Sequence, residues 1–362
     1  MIDQDWQDLD AQLLIGTYTR DSNSQGIYHV NRDGEVQCVA EADNPSYLAA
    51  HPNLNVVYCV NETGDFQDEY DLTDSLTGAI SAFKSDLDAG GLQLELISQQ
   101  PSMGADPCHI SVANHGEFLV VANYSGGTFA SFPLDEHGVI ESFQSITSHT
   151  GSGPVGDRQT SAHVHSTLLI NDELFVADLG ADRVSRYKLG ESGSHDADQV
   201  HVVARAGAGP RFMVNNNTTL FVLNELDNTL VSYDLDTLTL QQRLSIVPES
   251  VVPEDSLPKK KEPSISAHLA ISQDKRFLYM TNRGFDIVVV VKIEPELKII
   301  QTISSGGGHP RHFSLLREDQ YLVVANQDSN NLVAYQRNAE TGVLVEMGVT
   351  FSVPCPTFVL PI

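Results

Sequence analysis

Seven side chains capable of polar chemistry stand near the starts of short apolar runs. They are His109 in "DPCHIS", His163 and His165 in "SAHVHS", Arg211 in "GPRFMV", His268 in "SAHLAI", and Arg311 and His312 in "HPRHFS". A second set ends runs of the "LVVAN" kind: Asn61-Glu62, Asn224-Glu225, Asn282-Arg283 and Asn326-Gln327. A carboxylate or imidazole beside guanidinium groups can take a proton from water and stabilise a developing oxyanion. Arg also grips carboxylates and phosphates better than any other side chain. The chain carries 21 Lys and Arg against 48 Asp and Glu, a net charge of -27. Against that background Arg211, Arg283 and Arg311 at related positions point to an anionic small molecule. His163 and His165 alternate by two and share one strand face, a pattern open to a transition metal. No carboxylate or cysteine stands at a companion spacing, and the arginines oppose a cation, so no metal and no other cofactor is expected.

Related positions imply repeated elements. Asn123, Asp178, Asn224, Asn282 and Asn326 each end an apolar run, and nine residues later stand Phe132, Tyr187, Tyr233, Val291 and Tyr335. Looser copies begin at Leu13 and Val56, which makes seven. From Tyr47 to Asn61, His109 to Asn123, His268 to Asn282 and His312 to Asn326 the interval is 14. The runs are β-branched and aromatic, bounded by Gly, Asn, Asp and Pro. Seven units of about 50 residues with about four strands each predict an all-β, seven-bladed propeller. Two stacked β-sandwiches fit seven equal units less well. The last copy, "CPTFVL" from Cys355, has nothing after it. It is expected to complete the blade begun by Leu13–Val30 and close the ring. The prediction is a leader over 1–12 and one domain over 13–362. Inner strands would line a channel, with the starts of first strands and the ends of second strands meeting at one mouth.

Composition sets limits. Hydrophobic residues are 41% of the chain, enough for a large core. So acidic a protein is unsuited to nucleic acid or an anionic membrane surface. "MIDQDWQDLDAQ" lacks the basic start and apolar run of a signal peptide. Cys38, Cys59, Cys108 and Cys355 are scattered, as reduced cysteines in the cytoplasm would be. The Gly151–Arg158 stretch resembles a phosphate loop only superficially, since it lacks the Lys-Ser/Thr ending. It is read as a mobile approach to the His163 strand. "PKKKEP" at Pro258–Pro263 is read as a solvated loop.

Nine motifs in order, among them "NPSYLA", "FLVVANY", "AHVH", "GPRF", "NELDNT", "NRG" and "GHPRHF", resemble the seven-bladed propeller lactonase family. That family includes bacterial 6-phosphogluconolactonases and fungal carboxymuconate cyclases. The resemblance implies metal-independent chemistry at the channel mouth by a His, a Glu and two Arg. The matching positions are His163 or His165, Arg211, Glu225 and Arg283. His109, His268, Arg311 and His312 are expected to bind substrate, with Arg311 and His312 on the phosphate side. The implied reaction is hydrolysis of 6-phosphogluconolactone by a monomer or weak homodimer. The alternatives are lactonizing chemistry on a dicarboxylic acid, or a binding platform without catalysis. Glu225 itself reads as a general base or as a salt-bridge partner of Arg211 or Arg283. The insertion at Thr63–Thr77 departs from the family pattern.

Overall fold

The structure, a computed structural model, describes residues 11–66, 76–88, 91–113, 115–190, 193–195, 200–247 and 264–362. Most of the leader, the middle of the Thr63–Thr77 insertion and the Pro258–Pro263 loop lie outside them. Seven four-stranded antiparallel sheets form seven blades. The innermost strands are β28 (Pro356–Pro361) in blade 1, β4 (Leu48–Ala50), β8 (Pro107–Val112), β12 (Val164–Ile170), β16 (Pro210–Asn215), β20 (Ile265–Ile271) and β24 (Pro310–Leu316) in blade 7. Each touches the innermost strand of the next blade, and β28 touches both β24 and β4, so the ring is closed.

Burial explains the composition of the second strands. β5 (Val56–Asn61), β9 (Phe118–Asn123) and β21 (Phe277–Arg283) are buried along their whole length. Each faces a neighbouring blade on both sides, so apolar residues run without alternation. Seven apolar clusters result, one for each blade interface. In β1 (Leu13–Thr17), Leu13 and Ile15 enter the cluster shared with blade 7, while Leu14 enters the one shared with blade 2. From Gln241 on, the outer strand β19 (Leu240–Ser245) alternates between exposed and part-buried residues, as an edge against water does. The repeated Asn is scaffold. Asn61, Asn123 and Asn326 each donate through Nδ2 to a main-chain carbonyl of the incoming loop, of Asp43, Ser102 and Ser305, at 2.8 to 2.9 Å.

Closure is as expected from the orphan last copy. β28 pairs antiparallel with β1, Leu14 opposite Leu360 and Ile15 opposite Val359. Phe358 and Val359 are buried between blades. Deleting Cys355–Ile362 removes both side chains, worth about 1.5–3 kcal/mol each, and leaves β1 as an open edge. The truncated protein should therefore melt well below the full chain. Equal melting temperatures in a thermal scan would contradict closure by β28.

Candidate active site

Most of the innermost strands begin with a β-bulge. Pairing skips between Pro107 and His109, Val164 and Ser166, Pro210 and Phe212, Pro310 and His312, and Pro356 and Phe358. A bulge places one extra residue on one strand and re-aims it. The extra residues are Cys108, His165, Arg211, Arg311 and Thr357. In blade 6 the irregularity lies between Ser266 and Leu269. Gly209 sets up the Arg211 bulge from a backbone φ of +66°, which suits glycine. Its N–H is fixed by Asp182 Oδ1 at 2.8 Å.

Glu225 is the hub, 1% exposed at the end of β17 (Thr219–Asn224). Its Oε2 accepts from Arg211 Nε at 2.6 Å and pairs with Arg283 Nη2 at 2.8 Å. Its Oε1 accepts from Arg158 Nη2. His165 Nε2 lies 3.9 Å from Oε2. Arg211 also donates to the Ala267 carbonyl and Arg283 to the Ser266 carbonyl. Burial works against the Glu225 charge, but Arg283, Arg211 and Arg158 outweigh it and hold the carboxyl well below its ordinary value. Burial, opposed by Glu225 and reinforced by Arg211 and Arg311, brings Arg283 down to about 10, so it stays charged at neutral pH. Burial and then Arg211 hold His165 well below 6.5, so its imidazole is neutral.

A second carboxylate occupies the matching place in blade 2. Glu62 follows Asn61 as Glu225 follows Asn224. It accepts from Tyr18 OH at 2.6 Å and from Ser46 Oγ. Arg311 donates to Tyr18 OH, lies over its ring at 4.8 Å and stands 3.7 Å from Glu62. Tyr18 also walls an open cleft of about 910 Å³ at the seam of blades 7 and 1, which Arg20, Asp328 and Cys355 help to line.

The channel is closed beneath these groups. Tyr47, His109, Phe212, His268, His312 and Phe358 follow one another around it, with successive ring centroids 4.5, 5.4, 4.5, 3.9 and 3.8 Å apart. Phe358 returns to Tyr47 at 4.1 Å. Blade 4 contributes the small Ser166 at the residue after its bulge. Above this belt lies a cavity of about 20 Å³, space for about one water. Burial keeps the belt imidazoles neutral: His109 is pushed down to about 3, and His268 and His312 lie well below 6.5. His109 Nδ1 accepts from the Thr167 N–H at 3.4 Å and His312 Nδ1 from the Val359 N–H at 3.2 Å.

The structure thus sorts the expected residues. It brings His165, Arg211, Glu225 and Arg283 together and sets Arg311 with Glu62 and Tyr18. The choice between the two histidines follows from the bulge. His163 stacks on Tyr124 at 4.5 Å and its Nδ1–H donates to the Tyr124 carbonyl at 3.0 Å, whereas His165 turns toward Glu225. His109, His268 and His312, expected as substrate ligands, are packed in the belt, and the cavity beside them cannot admit a sugar. The Gly151–Arg158 segment is not a loose approach. Buried Gln159 staples it, taking the Val155 N–H on Oε1 and donating to Leu179 O and Asp182 Oδ1 at 2.8 Å. Tyr18 and Arg158 were not singled out: Tyr18 follows β1 as Glu62 follows β5 and Glu225 follows β17, in a copy too loose for the repeat to mark it, and Arg158 lies on a loop outside the repeat. The signal available was the scarcity of arginine in an acidic chain. Among the described residues, no three His, Cys, Asp or Glu are grouped to hold a metal ion, and no helix is long and apolar enough to cross a membrane.

Fold and geometry define a seven-bladed β-propeller with a cluster of arginines and carboxylates gathered above the aromatic belt of its channel. Residues 12–361 match the family described as "Lactonase, 7-bladed beta-propeller". A 6-phosphogluconolactonase of Formosa agariphila is 34% identical over 92% of this chain and 95% of its own length. A 6-phosphogluconolactonase of Bacillus subtilis is 31% identical over 95% and 96%. The solved structure of the Pseudomonas aeruginosa periplasmic gluconolactonase covers 97% of this chain and 99% of its own, with 28% identity and a TM-score of 0.83. The chain belongs to the seven-bladed propeller lactonase family and is a lactone hydrolase.

Proposed function

We propose that the chain hydrolyses 6-phosphogluconolactone to 6-phosphogluconate at the channel mouth. One observation carries this reading beyond the family. Four guanidiniums, of Arg158, Arg211, Arg283 and Arg311, face two carboxylates, Glu225 and Glu62, among neutral imidazoles. Two positive charges remain over, in a chain of net charge -27. That excess suits a phosphomonoester dianion. The names of the two curated relatives agree with it.

The roles follow from position. Water adds to the lactone carbonyl and gives its proton to Glu225, with His165 beside it. Arg211 and Arg283, each tied to a carbonyl as well as to Glu225, hold donors toward the developing oxyanion. The bond from the carbonyl carbon to the ring oxygen then breaks, and the leaving oxygen takes the proton back from the base. Arg311, oriented by Tyr18 and Glu62, takes the phosphate. The belt is the floor of the site, so substrate enters and leaves by one mouth. Every group comes from one chain, so a monomer suffices. The substrate places the reaction in the pentose phosphate pathway, in the cytoplasm.

The test is the rate of loss of 6-phosphogluconolactone, corrected for spontaneous hydrolysis, beside those of δ-gluconolactone and a carboxymuconolactone. The phosphorylated lactone should be the best substrate. Turnover of the carboxymuconolactone alone would favour lactonizing chemistry instead. EDTA should leave the rate unchanged. Loss in EDTA with recovery on adding zinc or calcium would contradict catalysis by arginine, carboxylate and imidazole alone.

A further inference from the structure

The three arginines on Glu225 are not equivalent. Arg211 and Arg283 come from strands, are 6% and 7% exposed, and each holds a main-chain carbonyl in addition to Glu225. Neither can leave without orphaning a buried acceptor. Arg158 is 38% exposed and comes from the 3-10 turn Gly156–Arg158. Among the described residues it holds no main-chain carbonyl, and its second partner is the Tyr124 hydroxyl at 3.2 Å. The turn that carries it is pinned by Gln159, so the side chain can swing while its backbone stays in place. The oxygens of Glu225 divide in the same way. Oε2 is shared by the two strand arginines, and Oε1 is held by Arg158.

We infer that Arg158 is a mobile guanidinium that leaves Glu225 Oε1 for the phosphate of the incoming lactone, so that substrate capture uncovers the catalytic carboxylate. The inference rests on the lactonase reading above and adds a positioning residue to it. A phosphate dianion outcompetes a carboxylate already shared by three cations, because the strand arginines still neutralise Glu225 after Arg158 has gone. With Arg158 on the substrate, Glu225 faces Arg211 from β16, Arg283 from β21, neutral His165 from β12 and the Tyr124 hydroxyl after β9. It is a stronger proton acceptor there than in the resting site. A lactone without phosphate has no group to draw Arg158 away, and its hydrolysis is slower for that reason as well as for weaker binding.

The experiment compares the wild-type chain with Arg158→Gln and Arg158→Lys on 6-phosphogluconolactone and δ-gluconolactone, with kcat/KM followed against pH. Loss of one charge-assisted contact should lower kcat/KM for the phosphorylated lactone roughly 10- to 100-fold in Arg158→Gln. The unphosphorylated lactone should lose much less or gain, so the preference for phosphate collapses. Removing one of three cations lets the Glu225 pKa rise, so the acid limb of the profile should move to higher pH. Arg158→Lys keeps a charge and should restore part of both. If Arg158→Gln keeps the phosphate preference and the acid limb of the wild type, the inference is overturned while the lactonase reading stands. A melting temperature that falls with neither kinetic property changed would make Arg158 a structural tether, which also overturns it. If the wild type hydrolyses neither lactone, both readings fall together.

Discussion

Glu225→Gln is expected to lose turnover and stability together. Turnover should fall roughly 10²–10⁴-fold, because an amide keeps the shape but cannot take a proton at neutral pH. Stability should fall by about 3–5 kcal/mol, the usual cost of leaving buried charge without its partner. Taken from the repeat alone, the two readings of Glu225 exclude each other, a base or a salt-bridge partner. The geometry joins them. Arg211 and Arg283 are nearly inaccessible to water and would face each other across a neutral amide. Kinetics and thermal melting on one preparation check both halves. Near-normal turnover would remove Glu225 from the chemistry and pass the base role to His165. An unchanged melting temperature would contradict the buried ion cluster.

Stability should also fall steeply in mild acid. His109, His165, His268 and His312 have folded-state pKa values below the ordinary 6.5, with His109 at about 3, and burial is the main cause in each. The unfolded chain binds their protons near 6.5, so below that pH it holds more protons than the folded chain. Their contribution is complete above 6.5 and is lost as pH falls toward the folded values. Each histidine adds at most about 1.4 kcal/mol per pH unit, and the four together at most about 5–6. Glu225, whose folded pKa is depressed, adds a further loss only below its ordinary 4.5. Urea unfolding at half-unit steps from pH 7 to pH 5 should show this slope. His268→Phe keeps the belt aromatic, removes one titrating group and should flatten the slope by about one proton. A flat profile in the wild type would show that the imidazoles charge without cost.

The fold was legible because a propeller repeats its solution. Strand ends recur at fixed intervals, apolar runs show burial on both faces, and the lone Cys355–Leu360 copy had to find a partner in β1. The site was legible by residue type but not by layer. A strand alternates its side chains, and a bulge breaks that alternation without leaving a distinct sequence mark. His165, Arg211 and Arg311 stand in bulges and turn to the mouth. His109, His268 and His312 stand one residue deeper and join the belt, although in sequence all six share one motif. Glu62 was visible as a counterpart of Glu225, but Arg311 reaches Tyr18 and Glu62 from blade 7 across the closed seam, and that contact follows only from ring closure. Arg158 reaches Glu225 across 67 residues from outside the repeat, and no periodicity leads to it.

The most direct test of catalysis at the channel mouth is a crystal structure of the chain with its product, 6-phosphogluconate. The account predicts the carboxylate of the product against Arg211 and Arg283, its phosphate against Arg311 and Arg158, and Glu225 Oε1 free of Arg158. Product bound only in the blade 7–blade 1 cleft, with the Glu225 cluster untouched, would contradict it.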